Sequence, residues 1–273
     1  MIDRYAVIGN PIAQSKSPLI HGMFAKATGQ DLEYTRIEGP LDGFADAVRE
    51  FRDAGGRGMN VTAPFKLQAY ELADERRERA QLAGAVNVLK FEGTRIVADN
   101  FDGVGLVNDI QRNLGLAMAG KRVLLLGAGG AARGVLLPFL QQRPAELVLA
   151  NRTEAKALAL AQQFSAHGPV RGCGYAGIGP QRFDLVVNAT SASLTGDVPP
   201  VPPAVFATDG LAYELMYGKG LTPFLRLAQS AGVKRVADGV GMLVEQAAEA
   251  FVWWRGVRPD TRAVLEKLTV PLV

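Results

Sequence analysis

Two groups of residues have the types and spacing to do chemistry. The first is Gly127-Ala128-Gly129-Gly130-Ala131-Ala132, which has the form G-x-G-x-x-A between a continuous apolar run, Val123-Leu124-Leu125-Leu126, and a helical segment. A first glycine allows the tight turn and a second lets the backbone approach a pyrophosphate. A small third residue lets the helix pack on the strand, and the helix N-terminus faces the anion. The same letters suit an ordinary βα turn; the placement between a buried strand and a helix favours a dinucleotide site. The next strand ends at Ala150, about 20 residues on, where an NAD-binding fold carries an acid for the ribose hydroxyls. Here the chain reads Asn151-Arg152-Thr153, with Lys156 following. A guanidinium can clasp a phosphate in bidentate fashion, so the strand tip argues for NADP over NAD, against the plainer reading of two surface charges.

The second group closes on Lys66, in Asn60-Val61-Thr62-Ala63-Pro64-Phe65-Lys66. The run comes after a glycine-broken turn, Gly55-Gly56-Arg57-Gly58, and its start reads as a strand end. Pro64 suits the first turn of a helix. Asn60, Thr62 and Lys66 then gather at a strand-to-helix junction, where polar groups can converge on a ligand. Taken alone, the run is a turn with a solvated lysine. A hydride cofactor changes that balance, because a hydride acceptor needs a proton donor. Lys66 fills this role better than His21, which lies inside an apolar-periodic helix, or His167. Ser15 and Ser17 flank Lys16 just before a helix; they can cap it or hold a carboxylate or sugar-like hydroxyls. Asp102 lies between Phe101 and Gly103 before a helix, where an N-cap role is the local reading.

These residues need elements to position them. Strands are expected at 4–9, 32–37, 85–89 and 95–98, with helices from Pro18 to near Gly29, over 42–54 and over 65–83. This β and α alternation implies a sheet with helical crossovers. A helix over 104–116 leaves that block, and the pattern restarts at Arg122. Further strands are expected at 122–126, 146–150, 183–188, 210–214 and 235–236. Helices are expected to about Gln142, over 153–166 and over 222–231, and 196–204 reads as a loop. Two helices close the chain, 240–255 and 259–268, with Pro259 near the first turn of the last.

The 273 residues suggest one large or two medium domains at about 150 residues each. Hydrophobic residues make up 48% and charged residues 21%, an ordinary globular balance. Net charge is +3 and the pI about 9.0, yet the most charged run, Glu75-Arg76-Arg77-Glu78-Arg79, is mixed in sign. A solvated helix face is favoured there over a nucleic-acid surface. One cysteine, Cys173, and two histidines leave no disulfide framework and argue against a Cys/His metal site. No apolar run reaches membrane-spanning length. No charged-then-apolar segment precedes the first strand. The expectation is a cytoplasmic protein without nucleic-acid or membrane partners, monomer or homodimer.

Together these stretches resemble the shikimate dehydrogenases. The resemblance rests on Gly9-Asn10-Pro11 with Ser15-Lys16-Ser17-Pro18, on Asn60 to Lys66, on Ala83-Gly84-Ala85-Val86-Asn87, and on Asp99-Asn100 with Asp102-Gly103. It continues through the glycine loop, Asn151-Arg152-Thr153, Asn188-Ala189-Thr190-Ser191, Met216-Tyr217 and Asp238-Gly239 to Gln246. It implies two three-layer αβα domains: residues 1–103 plus 240–273 for substrate, and a Rossmann NADP domain over 104–239, with the ligand in a cleft between them. By motif, Ser15, Ser17, Asn60, Thr62, Asn87, Asp102, Tyr217 and Gln246 would contact shikimate. Gly127, Ala128, Gly129, Gly130, Ala131, Asn151, Arg152, Thr153, Lys156, Thr190, Met216 and Gly239 would contact NADP. Glu78 carries over as a cofactor-side residue, with a plain helix carboxylate as its other reading.

The implied reaction is reversible reduction of 3-dehydroshikimate to shikimate. Lys66 would polarise the carbonyl oxygen and donate the proton, and Asp102 would orient it. Three positions depart from the family pattern. Phe101 and Val88 replace usual threonines, and Glu214 replaces a common aspartate. Phe101 is expected to add bulk at the substrate rim and so to affect specificity. The alternatives are a quinate/shikimate dehydrogenase using NAD, against which Arg152 argues, and a catalytically silent dinucleotide-binding regulator, against which Lys66 and Asp102 argue.

Overall fold

Tyr5-Ala6-Val7-Ile8 is buried along its whole length because it forms the second strand of a six-stranded sheet. This is seen in a computed structural model that describes residues 2–272. The chain divides into two units. The first contains the residues up to Gly105 together with Val244–Lys267; the second contains Leu106–Leu243 and the chain after Lys267.

In the first unit β1 (Asp3–Gly9) lies between β2 (Leu32–Glu38) and β3 (Gly56–Val61), both parallel to it. The short β4 (Glu75–Arg76) is the far edge. Between it and β3 lie β5 (Val88–Glu92) and β6 (Arg95–Asp99), which give the order β2-β1-β3-β5-β6-β4. The β3–β5 and β5–β6 pairings are antiparallel. Helix α1 (Ser17–Thr28) comes after β1 and ends at Gly29, whose φ of 62° is left-handed. Helix α2 (Phe44–Asp53) buries Phe44, Val48 and Phe51 in a cluster with Ile8, Met59, Phe65 and Leu89. Each such side chain contributes about 1.5–3 kcal/mol of transfer free energy.

Several boundaries differ from the sequence pattern. The helix expected over 65–83 is two helices, α3 (Lys66–Leu72) and α4 (Glu78–Ala83), with β4 between them. Asp74 causes the break: its backbone N–H donates to the Ile96 carbonyl at 2.9 Å and its carboxylate accepts from Ile96 N–H at 2.7 Å. These bonds draw the chain onto β6 as an edge strand. Gly56 and Gly58 are strand residues rather than a turn. A Cβ at Gly56 would collide with Phe51, and one at Gly58 with Trp254, so the glycines permit close packing. The strand expected from Ala85 begins at Val88, since Val86 N–H turns back to the Lys66 carbonyl at 3.0 Å. Pro64, after a cis peptide bond, precedes α3, and Pro259 precedes the last helix.

The second unit is built on a wholly parallel sheet. Its strands are β7 (Arg122–Leu126), β8 (Glu146–Ala150), β9 (Val170–Cys173), β10 (Phe183–Asn188), β11 (Phe206–Glu214) and β12 (Arg235–Ala237). They lie in the order β12-β11-β10-β7-β8-β9. This is the dinucleotide-binding order, and its switch point falls between β7 and β10. Val123 to Leu126 are fully buried, as a central parallel strand requires. Strand β9 has no counterpart in the sequence pattern; it is short and carries a glycine and an arginine.

The crossing helices of this unit are α6 (Gly130–Gln141), α7 (Glu154–Phe164), a one-turn α8 (Ala192–Thr195) and α9 (Pro223–Ser230). The helix expected over 104–116 starts earlier, as α5 (Asp102–Asn108), and widens into a π-helical turn at Asp109–Asn113. Helix α10 (Val240–Arg255) runs from the second unit into the first, and α11 (Arg262–Leu268) comes last. Among the described residues no helix is long and apolar enough to cross a membrane, and no His/Cys/Asp/Glu group could hold a metal ion.

Candidate active site

In the first unit, the ends of β3 and β6 deliver a cation and a carboxylate to one point. Lys66 opens α3 and Asp102 opens α5. Lys66 Nζ donates to Asp102 Oδ2 at 2.5 Å. Asn87, just before β5, donates from Nδ2 to the other carboxylate oxygen at 2.7 Å. Its own Oδ1 accepts from the Phe101 N–H at 2.9 Å, so the amide cannot flip without losing that bond. The Asp102 N–H donates to Asn100 Oδ1 at 3.1 Å, and Asn100 Nδ2 donates to the Ala85 carbonyl at 3.0 Å. Asn87 thus holds the Asp102 carboxylate and Asn100 holds its backbone. The Lys66 side chain keeps 34% of its surface exposed against 16% for Asp102, so the ammonium is the accessible member. Gln246, from α10, accepts from Asn87 Nδ2 at 3.2 Å and joins the same cluster.

Asn60 reaches this frame through the Asn87 carbonyl, 3.4 Å from its Nδ2. Thr62 stands half-buried just past β3. Ser15 and Ser17 hydroxyls are 3.3 Å apart, and the Arg36 guanidinium holds their loop through the Ser15 carbonyl at 2.7 Å and 3.1 Å. Lys16, the residue before α1, makes no capping bond, while Ser15 Oγ accepts from the first helical N–H, that of Ser17, at 3.3 Å. His21 is buried in an aromatic stack, its ring parallel to Tyr34 at 4.3 Å and beside Trp254. Burial pushes its pKa down to about 3, against a smaller opposing effect of Asn60, so the ring is neutral.

Phe101 does not line a rim. It is buried with Val88 and Ala250, edge-on to Trp253, with the Arg79 guanidinium over its ring at 5.1 Å. The backbone on either side of it is fixed by Asn87 and Asn100, which turns the ring towards this cluster. A cavity of about 310 Å3 lies at the opposite, N-terminal end of β1 and β3, beside Arg4, Arg52 and Arg57. Arg4 donates to the Ala54 carbonyl, Arg52 to the Thr94 carbonyl, and Arg57 pairs with Asp3, so these cations serve structural contacts.

In the second unit the glycine loop comes directly after β7, at the switch point. Gly127 has φ 106°, a conformation that favours glycine, and a Cβ there would lie 3.0 Å from the Ala189 carbonyl oxygen. A Cβ at Gly129 or Gly130 would meet no atom within 4 Å. Open space therefore borders the N-terminus of the 12-residue α6, as a pyrophosphate needs, and Ala132 is fully buried where the helix packs down. Ala128 is half-buried and Ala131 exposed. At the tip of β8 Asn151 donates to the Thr153 carbonyl at 2.9 Å, while Arg152, Thr153 and Lys156 stand exposed with no acid at the strand end. These residues fit a 2′-phosphorylated dinucleotide.

Thr190 and Met216 lie just past the neighbouring strands, and one buried residue secures both. Glu214, fully buried, accepts from Asn188 Nδ2 at 2.8 Å, Ser193 Oγ at 2.5 Å and the Met216 N–H at 3.3 Å. Asn188 in turn accepts from the Thr190 N–H and hydroxyl at 3.1 Å and 2.7 Å. Burial raises the Glu214 pKa, with the Ser193 and Asn188 donors pulling the other way. Gly239 donates to the Met216 carbonyl at 3.1 Å, and a Cβ on it would strike the Leu215 carbonyl. Tyr217 is 42% exposed. Glu78 is exposed in the first turn of α4, in the first unit, whereas the other expected cofactor residues belong to the second.

Sequence reasoning does not single out Tyr34, the positioning role of Asn100, or the brace at Glu214. Glu214 has a usable signal, an acid ending an otherwise apolar strand. Tyr34 has none, since it lies in an ordinary alternating strand.

A parallel sheet in this order, with a glycine loop at its switch point and an arginine at the next strand tip, defines an α/β pyridine-dinucleotide-binding protein. Residues 7–89 match the family model for the shikimate dehydrogenase substrate binding domain. Residues 109–195 match shikimate / quinate 5-dehydrogenase, and 239–269 match the shikimate 5'-dehydrogenase C-terminal domain. The chain is 57% identical over 268 residues to the NADP(+) shikimate dehydrogenase of Nitrosospira multiformis, covering 98% of each chain. An Ael1 enzyme from Pseudomonas putida is 65% identical with TM-score 0.96, over 99% of this chain and 100% of that one. The shikimate 5-dehydrogenase of Thermus thermophilus, solved with NADP(H) and shikimate, is 33% identical with TM-score 0.82, over 97% and 98%. The chain belongs to the shikimate dehydrogenase family.

Proposed function

We propose that the chain catalyses reversible reduction of 3-dehydroshikimate to shikimate, as a cytoplasmic enzyme acting as monomer or homodimer. The observation that carries this reading is the Lys66 ammonium on the Asp102 carboxylate at 2.5 Å, an accessible proton donor on a framed acceptor. NADPH, when bound, supplies the hydride. Gly127 to Ala131 would hold its pyrophosphate, and Asn151, Arg152, Thr153 and Lys156 its ribose phosphate. Thr190, Met216 and Gly239 would hold its reactive end, with Glu78 as a further cofactor-side residue. In this reading residues 1–103 plus 240–273 handle the substrate, and 104–239 the cofactor.

Lys66 would polarise the ketone oxygen and transfer a proton to it as the alkoxide develops. Asp102 would orient Lys66 and accept from the neighbouring ring hydroxyl. Ser15 and Ser17 would hold the ring carboxylate, and Asn60, Thr62, Asn87, Tyr217 and Gln246 its hydroxyls. Steady-state assay of the purified protein with shikimate or quinate, each with NADP or NAD, tests the reading. Shikimate with NADP should give the highest kcat/KM. Absence of shikimate-dependent NADP reduction would overturn it.

A further inference from the structure

We propose that Tyr34 is a positioning residue for substrate binding, whose hydroxyl locks the amide of Asn60 in one orientation. The inference rests on the reading that Asn60 binds substrate. The two ends of that amide have different neighbours. One end lies 3.4 Å from the Asn87 carbonyl oxygen, which can only accept, so that end is Nδ2. The other end is then Oδ1, 2.6 Å from the Tyr34 hydroxyl, and the phenol is the donor. With these bonds made, Asn60 retains one N–H for a substrate oxygen.

The phenol is built to stay a donor. Tyr34 is half-buried as a residue, and burial around its hydroxyl raises its pKa well above the ordinary value, with a Ser17 hydrogen bond pulling partly the other way. Its ring is clamped against neutral His21 at 4.3 Å and 5° from parallel, with Trp254 tilted at 6.4 Å. Tyr34 on β2 and Asn60 on β3 flank the same central strand, in register with Tyr5 and Val7. The hydrogen bond therefore spans two fixed strands and has little freedom to wander. Removing the hydroxyl leaves the long 3.4 Å bond to the Asn87 carbonyl as a weaker hold on the amide, so presenting the Asn60 N–H to substrate then carries a cost.

Tyr34→Phe keeps the ring and the stack. The bond is worth about 0.5–1.5 kcal/mol, so KM and Kd for shikimate should rise about 2- to 10-fold. Expected kcat stays within about twofold and KM for NADP is unmoved, a split that general loss of structure does not give. Asn60→Ala and the double variant complete the cycle. Asn60→Ala should raise the shikimate KM, and Tyr34→Phe should add little on top of it. If Asn60→Ala leaves the shikimate KM unchanged, the ligand role of Asn60 fails and Tyr34 falls with it. If Asn60→Ala raises KM but Tyr34→Phe does not, or Tyr34→Phe has its full effect in the Asn60→Ala background, the role of Tyr34 alone is overturned.

Discussion

Asp102→Asn preserves shape and removes one acceptor, and the surrounding hydrogen bonds determine the consequence. The carboxylate accepts two donors on two oxygens, Lys66 Nζ at 2.5 Å and Asn87 Nδ2 at 2.7 Å. An amide offers one oxygen, so one contact must become donor against donor. Asn87 cannot turn away, because its Oδ1 holds the Phe101 N–H at 2.9 Å. Lys66 can, being on a flexible stem and 34% exposed. The new amide therefore keeps its oxygen towards Asn87 and faces Lys66 with N–H. Stability should fall by only about 1 kcal/mol, the low end for a lost partner, because water can solvate the displaced ammonium. Activity should fall far more: losing an aimed proton donor costs about 100- to 10,000-fold in kcat. Lys66→Ala should reach a similar kcat with little change in KM. The double variant should have a kcat no lower than that of Lys66→Ala, since in the proton step the carboxylate acts through the lysine, while loss of its ring-hydroxyl contact shows in KM. Steady-state kinetics and urea unfolding of the three variants measure this. An Asp102→Asn enzyme within about threefold of the parent kcat, or full multiplication of the two losses, would refute the reasoning.

Three further outcomes are expected. Arg152→Ala should raise KM for NADP by about 10-fold or more and leave KM for NAD unchanged, as loss of one charge-assisted phosphate contact predicts; equal shifts with both cofactors would remove Arg152 from the phosphate site. His21, with a folded pKa of about 3 against 6.5 unfolded, binds its proton only in the unfolded chain between those values. It should therefore cost stability as pH falls from 6.5 towards 3, about 2 kcal/mol by pH 5, and His21→Phe should lose that component. Tryptophan-detected urea unfolding at pH 7 and pH 5 reads this, since Trp253 and Trp254 both lie in the first unit; a His21→Phe stability that does not rise relative to the parent's between pH 7 and pH 5 sinks the argument. Phe101→Thr should destabilise by about 3 kcal/mol by emptying a packed site, with KM for shikimate unchanged. A KM shift at intact stability would return Phe101 to the substrate rim.

The legible parts of the fold are those whose cause is local. Val123 to Leu126 announce a buried parallel strand, and Gly127 a turn that needs left-handed backbone, so the cofactor half is readable. The break between α3 and α4 is not, because it depends on Asp74 meeting Ile96 across 22 residues. Strand β9 is equally silent, as Val170 to Cys173 gain their conformation only by pairing with β8. The Lys66–Asp102 contact joins residues 36 apart, and in the sequence only the family resemblance links them. Tyr34 and Asn60 meet across β1, a register fact that no motif encodes.

Val88 and Phe101, on either side of the Asp102 site, belong to one packed cluster. They share it with Ala250 and lie together against Trp253 and Trp254. A hydroxyl at either position would face this hydrocarbon cluster, which is costly when unpaired. Both together bury apolar surface and leave nothing unsatisfied. The backbone of Phe101 meanwhile keeps the bond that fixes Asn87, which needs only an N–H and is indifferent to the side chain. Position 101 can therefore trade its side chain for packing while Asp102 remains framed. In the proposed reading, substrate choice falls to the polar groups around Lys66, and its constraint would lie in the amide orientations of Asn60 and Asn87.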